Sequence, residues 1–196
     1  MNLAAHLIVA CEKISDNFFN IKVANSKDTV YLERVYSYEL YHQIRLIIGD
    51  VSPIEVFAEP DKSGHPDAKN ELKNKKPDLV FHSSGTHDDN HLVAEVKNSD
   101  YSVPRIYEDV EKLYNFYRSR KFGYKETVLI IFGQKSETRG KGIVKLMRKN
   151  KLSFPLKIIV HPEVGNAFVL SESDNDKPVR DDDNDRFSGL RAKFAI

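Results

Sequence analysis

Apolar positions recur along this chain at two periods, and the switches between them mark out its elements. Over residues 2–19 the spacing is near-helical and predicts a helix. Asn25, Ser26 and Asp28 form a polar break able to cap the next helix. Val30, Val35, Tyr38, Tyr41, Ile44 and Ile48 then recur at threes and fours, which predicts a helix over 29–48 with those residues buried, ended by Gly49-Asp50. After Pro53 the period shortens. Ile54–Ala58, Leu79–Phe81 and His91–Lys97 read as strands, the last two as an antiparallel hairpin around the turn-rich stretch Ser83–Asn90. Residues 59–75, with Pro60, Gly64 and Pro66, read as a loop. Pro104 suits the first turn of a helix running to about Arg120, with Ile106, Val110, Leu113, Tyr114 and Tyr117 inward. Thr127–Phe132 is apolar and β-branched, as a central strand is. A basic helix over 137–150 and late strands at Leu156–Val160 and Ala167–Leu170 complete the order.

This order predicts an α/β domain with a mixed central sheet flanked by helices. A chain of 196 residues, 40% hydrophobic and 30% charged, can bury one core of ordinary size. A single domain over 1–171 is expected. The segment 172–196 is rich in aspartate and poor in apolar residues, and reads as an acidic, mobile tail. No apolar run is long enough for a membrane span. Ile8-Val9-Ala10-Cys11 has the outline of a lipoprotein cleavage box, but no Lys or Arg precedes it and His6 interrupts it. Cys11 is therefore expected in a helix core. One cysteine excludes a disulfide framework and suits a reducing, cytoplasmic setting.

Chemistry is concentrated in the hairpin. Side chains alternate across a strand, so Glu95 and Lys97 share one face while Leu92, Ala94 and Val96 occupy the other. Two charges on a covered face must pair or bind something. The hairpin brings Asp78 near Glu95, and a hard cation would relieve their repulsion. Mg²⁺, with Mn²⁺ as a substitute, suits this oxygen set, to which the Val96 backbone carbonyl adds a ligand. Lys97 beside it could assist an attacking water or stabilise charge on a phosphate.

Pro77-Asp78 followed by Glu95-Val96-Lys97 across a hairpin resembles the signature of the PD-(D/E)xK nucleases, the restriction-endonuclease-like superfamily. The resemblance covers roughly residues 29–135. It implies an α-β-β-β-α-β core, here with an extra N-terminal helix. It implies Asp78 and Glu95 as metal ligands, Lys97 as the catalytic lysine, and a nucleic-acid substrate; the expected reaction is hydrolysis of phosphodiester bonds in DNA ahead of RNA, a choice the residues themselves do not make. It also implies a supporting acid on the preceding helix, which offers Glu33 and Glu39. Glu39 is preferred for its place nearer the middle of the helix, with Gln43 one turn on to orient a ligand or phosphate. Cutting both strands of a duplex would suit a homodimer.

Eleven basic residues stand between Arg118 and Lys151 against Glu126 and Glu137, in a chain of net charge +1. Lys135, Arg139, Lys141, Lys145, Arg148 and Lys149 are the expected phosphate contacts, the last four on one side of the helix. A solvated helix face is the alternative. Gly133–Gly142 fails as a P-loop, because six residues separate Gly133 from Gly140 where four are needed. His82, His87, Asp88, Asp89 and His91 match no fixed zinc spacing. The nuclease has two rivals: an inactive nucleic-acid-binding module on the same fold, and a protein-interaction domain in which Tyr31, Tyr36, Tyr38 and Tyr41 and the basic helix meet a protein partner.

Overall fold

A computed structural model describes residues 2–49, 52–60, 76–83, 89–120 and 123–170. Its elements are α1 (Leu3–Glu12), α2 (Asp16–Phe19), β1 (Ile21–Lys22), β2 (Thr29–Val30), α3 (Glu33–Ile48), β3 (Ile54–Ala58), β4 (Leu79–Ser83), β5 (Asn90–Asn98), α4 (Val103–Arg118), β6 (Glu126–Phe132), α5 (Ser136–Lys149), β7 (Leu156–Glu163) and β8 (Asn166–Val169). Strands β3 to β8 form one mixed sheet in sequence order. β5, β6 and β7 are parallel, and antiparallel strands lie on both sides of them. The chain is thus an α/β protein with a mixed sheet between helices.

Each face of the sheet carries its own core. Leu92, Ala94, Val96, Val128 and Ile130 pack with Leu7, Tyr36, Leu40 and Ile44 from α1 and α3. Val80, Val93, Leu129 and Ile131 pack with Ile106, Val110 and Leu113 of α4 and Ile143 of α5. Strand alternation sets this division: odd-numbered positions of β5 face α4, even-numbered ones face α3. The β4–β5 hairpin pairs Leu79 with Ala94 and is irregular at Phe81/His82. No helix among the described residues is long and apolar enough to cross a membrane.

The N-terminal third departs from the periodicity. The first helix stops at Glu12, and a separate short turn carries Phe19 inward. There Phe19 meets the rings of Tyr31, Tyr36, Phe132 and His161 edge-on. The second helix starts at Glu33 rather than 29, because Thr29–Val30 pairs with Ile21–Lys22. Asn25, Ser26 and Asp28 close that small hairpin and cap nothing; Leu32 precedes the helix without a side-chain cap. The buried stripe of α3 is Tyr36, Leu40 and Ile44; of the expected set Ile44 is buried and Tyr41 and Ile48 pack partly buried beside it, whereas Val30 and Tyr38 are exposed, Tyr38 to 54%. Two stripes of similar apolarity compete on this helix, and the one aimed at Ala94 and Val96 wins. In α4, Tyr107 and Phe116 are buried with the expected Ile106, Val110 and Leu113. Tyr114 and Tyr117 lean on Phe154 at the rim. Most of the expected loop 59–75, part of the hairpin turn with His87 and Asp88, and the acidic tail lie outside the described residues.

Cys11 is buried and free, and burial pushes its thiol up to about 12, so it is the inert core residue expected. Gly133 turns the chain between β6 and α5 at φ +102°, and a Cβ there would stand 2.5 Å from Ser99 Oγ and 2.8 Å from the Tyr31 ring. Gly133→Ala should therefore lose about 2 kcal/mol or more, because backbone strain and steric overlap add. Denaturant unfolding checks this, and an unchanged midpoint would show that the turn can relax. His161 is fully buried, with Nδ1 2.8 Å from the Tyr36 hydroxyl. Burial lowers its pKa from 6.5 to about 4. The unfolded chain therefore takes up this proton first. The stabilisation is complete above the unfolded value and is lost as pH falls toward 4. Thermal melts from pH 7 to pH 4 should lose up to about 3 kcal/mol through this group. His161→Gln, which cannot titrate, should flatten that slope.

Candidate active site

The site forms where β4 begins and β5 ends. Asp78 immediately precedes β4, two residues before Val80, and so lies on the α4 side of the sheet with Glu95 and Lys97. Its Oδ2 accepts a 2.7 Å hydrogen bond from the Val96 N–H. The Asp78 carboxylate thereby caps the edge of β5 beyond the last paired residue of β4. In antiparallel pairing a residue's N–H and C=O face the same neighbour, so the Val96 carbonyl also faces the Asp78 side.

Glu95 is 1% exposed. Its Oε2 accepts a 2.7 Å bond from Lys112 Nζ, while its Oε1 is buried without a hydrogen-bond partner among the described residues. Lys97 Nζ lies 3.0 Å from Glu33 Oε1 and 3.3 Å from Asp109 Oδ2. Six charged side chains from four parts of the chain thus converge. Asp109 and Lys112 escape a motif search because they lie on a later helix. One signal for them was present: helix α4, returning antiparallel to β5, sets Asp-x-x-Lys against Glu-x-Lys. Each acid then meets a lysine, since three helical residues rise about 4.5 Å and two strand residues about 6.6 Å.

The helix acid at this cluster is Glu33, and this corrects the choice of Glu39. Glu39 is half-buried and accepts a 2.6 Å bond from Gln43 one turn away. Six residues turn a helix by about 240° and advance it about 9 Å, so Glu33 and Glu39 cannot serve one spot. Gln43 is committed to Glu39 and lies further along the same helix.

The electrostatics come from burial. Loss of water raises the Asp78 carboxyl above its ordinary range, opposed by the Val96 N–H and the Lys112 and Lys97 charges. Glu95 is pushed up much further, by burial first and then by Asp78, with Lys112 opposing. Burial also raises Glu33, against the pull of Lys97. Burial disfavours the Lys97 charge, but Asp109 and Glu33 outweigh it, and Lys97 stands above the ordinary lysine value.

Among the described residues, no group of three His, Cys, Asp or Glu side chains is arranged to hold a metal ion, for lysines stand between the acids. The donor chemistry nevertheless suits a hard divalent cation: carboxylate oxygens and a strand carbonyl, with one buried Glu95 oxygen lacking any partner among those residues.

The basic residues fall into two groups. Lys135 is exposed at the start of α5, where its N–H donates to Ser99 Oγ, and Arg139 Nε donates to the Ser99 carbonyl. Both lie beside the loop after β5. Lys145, Arg148 and Lys149 are exposed about 15 Å further along the helix. Lys141 leans on Glu137 at 3.6 Å. The four bases expected on one side do share it, opposite the buried Ser136, Gly140 and Ile143.

Asp78→Asn keeps an oxygen for the Val96 N–H and removes a charge facing Glu95, so its stability should equal or exceed the native value. Asp78→Ala strands a buried donor and should lose about 1–3 kcal/mol. Urea unfolding of the pair checks the assignment, and equal losses would show that the carboxylate does not serve Val96. Comparison with models of known protein families and with curated protein sequences gives no match to this chain.

Proposed function

We propose that this chain is a metal-dependent nuclease with a restriction-endonuclease-like, PD-(D/E)xK core, hydrolysing phosphodiester bonds in DNA. The observation that carries the reading is the convergence of Asp78, Glu95 and Lys97 on one side of the β4–β5 hairpin, with a buried Glu95 oxygen left unpartnered among the described residues. The succession α3, β3, β4, β5, α4, β6 agrees with the order that the resemblance implies.

Asp78, Glu95 and the Val96 carbonyl would hold Mg²⁺ or Mn²⁺. Such an ion lowers the pKa of a bound water and polarises a phosphoryl oxygen. Lys97, kept protonated by Asp109 and Glu33, acts as a fixed positive charge and hydrogen-bond donor to the phosphate, rather than as a base that takes a proton from water. Glu33 and Asp109 position that ammonium group. Lys135 and Arg139, which bond Ser99 in the loop after β5, would contact phosphates flanking the scissile one.

A second reading has its own observation. Lys112 and Lys97 already stand between the acids, so the cluster can be held together without metal. An inactive module on the same fold, binding nucleic acid or a protein, would need no more than that.

The deciding experiment incubates the protein with single-stranded, duplex and branched DNA and with RNA, in Mg²⁺, Mn²⁺ or chelator. Metal-dependent cutting is expected, with Lys97→Ala slower by about 100-fold or more. Glu33→Gln should slow the reaction more than Glu39→Gln does. No cutting of any substrate by the native chain would favour the inactive module. Cutting that survives Lys97→Ala would remove Lys97 from the mechanism.

A further inference from the structure

We infer that Lys112 is a tethered competitor for the divalent cation: its ammonium group holds Glu95 when no metal is bound, and metal must displace it. The inference rests on the metal-centre reading and deepens it.

Three observations carry it. Lys112 Nζ is 2.7 Å from Glu95 Oε2, and the two side chains are 17% and 2% exposed. That is the spacing of a charge-assisted hydrogen bond shielded from water, not of a solvated surface pair. The second observation is the asymmetry of the carboxylate. Oε2 is taken by the lysine, while Oε1 is buried with no partner among the described residues. A cation reaching Oε1 would arrive within a few ångströms of the ammonium group, where like charges oppose each other most strongly. The third is the division of labour on α4. Asp109, one turn before Lys112, is taken up with Lys97 and gives Lys112 no competing acid there. Lys112 is therefore aimed at Glu95 by the helix, while its four-carbon stem leaves the ammonium free to swing away.

The consequence is that affinity for metal in the absence of nucleic acid is held down by the chain itself. Mn²⁺ binding, followed by electron paramagnetic resonance on the full-length protein without nucleic acid, tests this. Lys112→Gln removes the charge and keeps a donor for Glu95. It should bind Mn²⁺ about tenfold more tightly than the native chain, the effect of removing one close like charge. Glu95→Gln should weaken binding in both backgrounds, which ties the ion to this carboxylate. Lys112→Arg, whose guanidinium can fork onto the carboxylate, should bind more weakly than native.

Tighter binding by Lys112→Gln, abolished by Glu95→Gln, supports the inference. Equal or weaker binding by Lys112→Gln, with Glu95→Gln still impaired, overturns the competitor and leaves the metal centre standing. Absence of Mn²⁺ binding by the native chain and by Lys112→Gln, both folded by circular dichroism, overturns the metal centre and the inference together. If Lys112→Gln does not fold without metal, Lys112→Arg decides, and affinity equal to or above native overturns the inference.

Discussion

Burial of Glu95 is the constraint around which this half of the molecule is arranged. A carboxylate at 1% exposure, in line with Val93 on β5 and beside Leu129 and Ile131 in the same core, is costly unless its charge is answered. The answer comes from α4. That helix must cross back over β5 to make the parallel pairing with β6, and in doing so it lays Asp109 and Lys112 over Lys97 and Glu95. The crossover that closes the apolar core therefore also closes the charge network. Helix α3 contributes from the other layer, where Glu33 at its start reaches Lys97.

The same burial decides what each charge can do. Lys97 sits between two acids and keeps its proton, so it offers a charge rather than a base. Asp78 is held by a backbone N–H and is pointed along the β5 edge instead of toward solvent. The arrangement fixes groups on rigid elements, strand against helix, and leaves one carboxylate oxygen of Glu95 and one of Glu33 unanswered among the described residues.

Much of this was legible in the sequence. The strand positions, the hairpin, the α4 stripe and the alternation that puts Glu95 with Lys97 all come from local period, because a half-buried strand or helix has to show it. The juxtaposition of Asp78 and Glu95 came from the hairpin alone. What was not legible required the third dimension. The stripe Tyr36–Leu40–Ile44 and the stripe through Tyr38 and Tyr41 look alike until the sheet chooses between them. Glu33 and Glu39 are both acids on one helix, and only the placement of that helix against the end of β5 separates them. Thr29–Val30 joined a helix by periodicity but is bound by a two-residue strand that no period can announce. Asp109 and Lys112 were hidden because their meaning lies in register with a strand more than ten residues earlier.

Stability alone is a weak account of such a cluster. Buried ion pairs rarely improve on apolar side chains of similar volume, since desolvation takes back most of the Coulomb gain. Here the neighbouring positions on the same face are already filled that way, by Val80, Val93, Leu129 and Ile131. The charges begin where that packing stops, at the end of the sheet where β4 has not yet begun and β5 continues. They come from α3, the approach to β4, β5 and α4, and each lysine is matched to acids of another element. A network serving only to hold elements together would be complete in itself. This one has a buried oxygen on Glu95 and another on Glu33 with no partner among the described residues, both within the set of groups that Lys97 and Lys112 hold in place. Unpaired buried acceptors of this kind call for a further donor or a cation, and they are the support on which the proposed metal centre rests.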